Sequence, residues 1–164
     1  MAKSTVKNFL IGEKWRKTLV RTVLVAIVTI LICKFLYLPY FTAGKSMEPT
    51  VMDNRLIFID RLAYNSEKPQ RGDVVAIRMA GQSVTLLKRI VALPNEALSI
   101  KNGVLHINGE LLDEPYLLEK GSWNLKDQHL SEGQYFVIGD NRSVPMALHK
   151  FGKVSKHRII GRKL

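Results

Sequence analysis

Hydrophobic and polar positions divide the chain into two regimes. Apolar residues dominate 19–41: residues 22–33 carry no charge, Lys34 interrupts, and 35–41 resumes. The uncharged run alone is too short to cross a bilayer. As one helix, residues 19–41 would reach about 34 Å at ~1.5 Å per residue, enough for a hydrocarbon core of about 30 Å. Arg21 and Lys34 then lie near the two ends, where long side chains reach the headgroups, and Tyr37 and Tyr40 suit the far interface. Pro39 is expected to end the helix.

Beyond Phe41 the pattern changes to short β-rich runs separated by Gly, Pro, Asn and Asp. Strands are expected at 55–60, 74–79, 83–93, 97–101, 104–108, 134–138 and 158–161. Asn102-Gly103 and Asn108-Gly109 are hairpin turns, because both residues of each pair tolerate φ > 0. No stretch here has a helical period. The expected fold is all-β, with 115–132 the longest irregular stretch.

Charge adds an orientation. The 164 residues carry a formal net charge of +11. Six basic residues stand against Glu13 in the first 21 positions, directly before the apolar run. A basic flank before a span keeps the N-terminus cytoplasmic. The expected organisation is a basic cytoplasmic tail, 1–18, a transmembrane anchor, 19–41, and an exported domain, 42–164. A cleaved signal peptide needs small residues at the end of its apolar run. Cys33-Lys-Phe-Leu-Tyr37 does not supply them. The single cysteine excludes an internal disulfide and a Cys-based zinc site. Nucleic acid is not an expected partner: the basic residues beyond the anchor are scattered, without the interleaved aromatics of a stacking platform. The surplus suits anionic lipid headgroups instead.

Two segments hold candidate chemistry. In Gly44-Lys-Ser-Met-Glu-Pro-Thr50, Ser46 is either a nucleophile or a turn former. In Leu86-Leu-Lys-Arg-Ile-Val-Ala-Leu-Pro94, strand alternation puts Val84, Leu86, Lys88, Ile90 and Ala92 on one face. Lys88 is the polar member of that face. It either snorkels to water or sits desolvated, with a lowered pKa that makes it a general base. Taken together the two are complementary, since a desolvated lysine can take a serine's proton in place of histidine. His106, His129, His149 and His157 show no metal-ligand spacing and no nucleophile–base motif. Neither a metal nor a cofactor is expected.

With these segments in order behind an anchor, the sequence resembles the type I signal peptidases, a family of membrane-anchored Ser/Lys peptidases. Ser46-Met-Glu-Pro-Thr50 is similar to its nucleophile box and Arg71-Gly-Asp-Val-Val75 to the following segment. Lys88-Arg-Ile-Val-Ala-Leu-Pro94 resembles its lysine box. Lys101-Asn-Gly-Val-Leu-His-Ile-Asn-Gly109, with Asp113-Glu-Pro-Tyr116, resembles its hairpin, and Gly139-Asp-Asn-Arg142 its last box. The resemblance implies a β-barrel or sandwich domain behind one transmembrane helix, in the plasma membrane of a bacterium. Ser46 would be the nucleophile, its backbone N–H part of the oxyanion hole, Lys88 the general base, and Met47 a wall of the substrate cleft. Substrates would be preprotein signal peptides cut after small residues. Gly44 stands where some members carry an extra hydroxyl.

The last box departs from the family pattern. Pro145 replaces the serine that usually hydrogen-bonds the lysine, and Ala147 and His149 replace an Asp–Arg pair. Ser143 or Asn141 are the candidates to support Lys88 instead. Two other readings share these motifs: a specialised maturation peptidase, for instance of conjugative pilin, and an inactive anchored binding module.

Overall fold

The computed structural model describes residues 15–78 and 85–164, and divides the chain between Tyr37 and Leu38 into two units. The described part of the first unit is a 22-residue helix, Trp15–Leu36, apolar on every side and long enough to cross a membrane. It starts before the span expected at 19–41 and stops short of its end. Residues 37–41 form a strand instead. Pro39 accounts for this, because it lacks an N–H and pushes the residue before it to extended backbone. Lys34 occupies the last helical turn, where a cation complements the dipole. Positions 1–14 of the expected tail lie outside the described residues.

The second unit is built from strands β1 (Tyr37–Phe41), β2 (Leu56–Asp60), β3 (Val74–Arg78), β4 (Thr85–Ala92), β5 (Ala97–Lys101), β6 (Val104–Ile107), β7 (Glu110–Leu111), β8 (Leu125–His129), β9 (Gln134–Ile138), β10 (Gly152–Ser155) and β11 (Ile159–Lys163). They form a seven-stranded sheet, β1-β2-β11-β3-β4-β9-β10, and a four-stranded sheet, β7-β6-β5-β8. Neighbours from β2 onward pair antiparallel. The all-β expectation holds, although neither sheet closes into a barrel.

Both Asn-Gly turns form as expected. Asn102 (φ 49°) and Gly103 (φ 78°) link the paired residues Lys101 and Val104. Asn108 (φ 52°) and Gly109 (φ 88°) link Ile107 and Glu110. The stretch 115–132, expected to be irregular, contains β8. Its sequence, Leu-Lys-Asp-Gln-His, lacks β-branched residues, but pairing with β5 overrides that weak preference. β10 was hidden too: only Val154 of its four residues is buried, so no alternation marks it. One helical turn, Ala63–Ser66, and two short 3-10 turns were too brief to leave a period.

The core explains the order of the sheets. Val91, Phe136 and Ile138 of the large sheet pack with Leu98, Ile100, Leu105 and Ile107 of the small one, closed by Trp123 and Leu130. A second cluster joins Val75, Ile77, Ile90, Tyr135, Val137 and Val154. A third, Met47, Val51, Ile59, Ala76 and Leu87, fixes the loop between β1 and β2. Central β4 therefore contributes to all three, and every residue from Leu87 to Ala92 is buried.

The first hairpin is sensitive to a single carbon. A Cβ at Gly103 would run into the carbonyls of Lys120 and Gly121, on top of the positive φ. Gly103→Ala is expected to lower the unfolding free energy by about 2–3 kcal/mol, measured by urea unfolding of the full chain in detergent.

Candidate active site

The loop carrying Ser46 is held at both ends. Thr42 N–H donates to Arg55 O, Gly44 N–H donates to Asp53 Oδ1 (2.8 Å), and Val51 N–H donates to Met47 O (2.9 Å). Met47 and Val51 insert into the third core cluster. Half-buried Ser46 thus directly precedes the first of these anchored side chains, and its hydroxyl faces buried Lys88. Among the described residues, the Ser46 N–H donates to no carbonyl or side chain.

Lys88 comes from the middle of β4, paired with Val75 on one side of the strand ladder. It is 3% exposed, and its Nζ lies 2.6 Å from Ser46 Oγ. No other hydrogen-bond partner reaches Nζ among the described residues. Burial lowers its pKa to about 8 by disfavouring the ammonium; Asp140 pulls it up and Lys150 presses it down. Of the two fates open to Lys88, it sits desolvated. The face expected for it holds only in part, and β4 is buried on both sides. Leu86 and Ile90 do pack together, but a register shift between Ile90 and Ala92 sends Ala92 with Val91 into the first cluster. Val84 lies outside the described residues.

Arg89, the next residue, is also buried, and its charge is fully met. Nε and Nη2 donate to the two carboxylate oxygens of Asp140 (2.9 and 2.6 Å), and Nη1 donates to Gly72 O (2.7 Å). The guanidinium sits 3.9 Å over the Tyr116 ring. Burial works against this charge, but Asp140 outweighs it and the pKa is raised. Thr50 Oγ1 donates to Asp140 and accepts from Arg89, so the end of the Ser46 loop is bound into the same cluster.

The segment 139–142 continues the clamp. Asn141 N–H donates to Ser46 O (3.1 Å), and Asn141 Nδ2 donates to Lys45 O (3.0 Å). Arg142 pairs with Glu114 in the interior, and Tyr116 donates to the same carboxylate oxygen at 2.7 Å. A Cβ at Gly139 would strike the Ser46 carbonyl and the His149 ring. His149 itself is buried, following the 3-10 turn Met146–Leu148.

The structure brings Ser46 and Lys88 together. Met47 is a core residue and also lines a cleft of about 40 Å³ beside them, with Tyr40, Gly44, Val51 and Leu86. Ser143 and Asn141 do not support Lys88. Ser143 Oγ and N–H both donate to Asn141 Oδ1, and Asn141 turns its amide to the Ser46 loop. The side chain of Asn141 is committed to the Lys45 carbonyl through Nδ2 and to Ser143 through Oδ1, and makes no hydrogen bond to Nζ. Sequence reasoning missed Thr50, Arg89, Asp140, Glu114 and His149. Adjacent Lys88 and Arg89 in a buried strand was the available signal, since two buried cations require an acid elsewhere in the chain. A larger groove, lined among others by Arg61, Tyr64, Ser155, Lys156 and His157, also holds a serine beside basic residues, but among the described residues no hydrogen bond joins them.

A family model described as signal peptidase, peptidase S26, matches residues 15–164. A signal peptidase I of Bacillus licheniformis is 34% identical over 170 residues, covering 97% of this chain and 89% of that protein. Signal peptidase I T of Bacillus subtilis is 33% identical over 159 residues, covering 90% of this chain and 81% of its own length. The crystal structure of a signal peptidase I from Enterococcus faecalis is 30% identical, with a TM-score of 0.48 over 58% of this chain and 97% of that one.

Two ion pairs of different burial give a direct comparison. Asp140→Ala leaves Arg89 buried without its acid and is expected to cost about 3–5 kcal/mol. Glu96→Ala breaks the more exposed Arg71–Glu96 pair (2.6 Å) and also leaves the Leu93 N–H without its acceptor, so about 1–2 kcal/mol is expected. Chemical denaturation of the two variants checks the order.

Proposed function

The chain belongs to the signal peptidase family, peptidase S26, and on that footing we propose that it is a membrane-anchored serine endopeptidase that removes signal peptides from exported preproteins. The observation that carries the reading is the 2.6 Å approach of a desolvated lysine amine to a serine hydroxyl. Ser46 Oγ attacks the scissile carbonyl while neutral Lys88 takes its proton. The Ser46 N–H stabilises the oxyanion of the tetrahedral intermediate. The Lys88 ammonium then protonates the leaving amine, and an acyl-enzyme remains on Ser46. Water, deprotonated by Lys88, attacks that ester and releases the signal peptide. The small cleft beside Met47 favours small residues before the cut bond.

The anchor of 19–41, helical through Leu36, confines enzyme and substrate to one bilayer and so raises their effective concentration. In this reading 1–18 is the cytoplasmic tail, and 42–164 is the peptidase domain on the exported side of a bacterial plasma membrane. The basic surplus faces anionic headgroups.

Full-length protein in lipid vesicles, incubated with a signal-bearing precursor, tests the mechanism. Ser46→Ala and Lys88→Ala are each expected to lower cleavage by at least about 10³-fold. Full cleavage by both variants would falsify the reading. The rate should rise with pH and level off above about 8, as Lys88 loses its proton. Stability should follow the same group. The unfolded chain holds the Lys88 proton up to its ordinary pKa of about 10.5, so stability rises between about pH 8 and 10.5. Lys88→Met is expected to remove that rise and to gain about 1–3 kcal/mol at pH 7. Denaturant titrations at several pH values report both effects.

A further inference from the structure

His149 is the buried polar side chain that the mechanism leaves unused. It is 7% exposed, and neither ring nitrogen has a hydrogen-bond partner among the described residues. Burying an imidazole this way is costly, and an apolar side chain of similar size would avoid the cost. Its position is nevertheless closely defined. The His149 N–H donates to Met146 O (3.1 Å) and closes the 3-10 turn, which fixes the backbone from which the side chain leaves. The ring meets Trp123 edge-on, with centroids 4.9 Å apart and planes at 68°. On its other side lies the bare Cα of Gly139, where ring atoms Cε1 and Nε2 crowd the same point as the Ser46 carbonyl. That carbonyl is the one Asn141 N–H holds.

We propose that His149 is a positioning residue for the Ser46–Lys88 pair: its ring, packed against Trp123 and Gly139, holds residues 139–141 where they fix the Ser46 backbone. This rests on reading Ser46 and Lys88 as nucleophile and base. Neutrality is part of the role. The groups around the ring are mostly cationic: Lys88 from β4 and Arg142 from the segment after β9, with Lys150 next in the chain. The acids nearby, Asp140 and Glu114, are engaged by Arg89 and Arg142. Burial, then Lys88 and Arg142, lower the His149 pKa to about 4; the Asn141 backbone, near the ring but outside hydrogen-bond geometry, pulls the other way. The ring is therefore uncharged when Lys88 receives the serine proton. A permanent cation at this position would instead press on the Lys88 ammonium.

The test compares full-length wild type with His149→Ala, His149→Gln and His149→Arg in vesicles, by cleavage kinetics and thermal unfolding. His149→Ala is expected to lower kcat about tenfold or more with KM within about twofold, because substrate contacts are untouched. His149→Gln, neutral and polar, should recover kcat to within about threefold of wild type. His149→Arg should move the acid limb of the rate profile to lower pH by about half a unit or more. Wild-type kcat in His149→Ala, or an acid limb unmoved in His149→Arg, overturns the proposal. Should His149→Ala unfold below the assay temperature, the Gln and Arg variants decide, and identical profiles for these two overturn it. Failure of the wild type to cleave the precursor sinks the peptidase reading itself, a separate outcome.

Discussion

The site depends on a buried ion pair that takes no part in bond making. Lys88 and Arg89 are consecutive in a strand with no solvent face. Two adjacent buried cations are untenable unless at least one is neutralised. Asp140 is delivered from the end of β9 to Arg89 and uses both oxygens on it, with Thr50 as a further donor. That division leaves Lys88 with burial as the dominant influence on its amine and only a distant attraction to the same acid. The strong pairing of Arg89 thus has two effects. It ties the Ser46 loop to the centre of the large sheet, and it keeps the carboxylate from fixing a proton on the neighbouring lysine.

Around this pair, the remaining contacts act on backbone more than on reacting atoms. Asn141 holds the carbonyls of Lys45 and Ser46, and the core insertion of Met47 and Val51 holds the loop from below. Arg142 carries the clamp onward to Glu114 and Tyr116, in the connection from β7 to β8 of the small sheet. A side chain on a loop is ordinarily mobile. Here Met47 is fixed in the core and the carbonyls of Lys45 and Ser46 are held, so the Ser46 hydroxyl meets the amine without needing a strand of its own.

The reach of the sequence depended on whether a feature was local. The Asn-Gly turns were legible because two residues alone set their backbone angles. The long apolar helix was legible from its run of residues, and Pro39 marked that it would end; what was not legible is that Pro39 acts back to Leu36 and that 37–41 is a strand. β8 and β10 have polar or nondescript sequences and exist through their partners. Ser46 and Lys88 were identified as complementary chemistry, 42 positions apart. Their support shell was misjudged, since Asn141 and Ser143 were assigned to the amine and instead face each other and the loop carbonyls. Side-chain direction after a turn is not written in spacing.

Gly139 and His149 lie ten positions apart in sequence but share one small volume. Read singly, the glycine belongs to a motif and the histidine is a departure from one. In space they form a unit, because the absence of a Cβ on one makes room for the ring of the other. Residue 149 therefore depends on residue 139. A side chain at 139 would meet the Ser46 carbonyl as well as the ring, so shrinking residue 149 alone would not admit it. The change at 149 is then better described as the filling of a volume that glycine leaves open than as erosion of a motif.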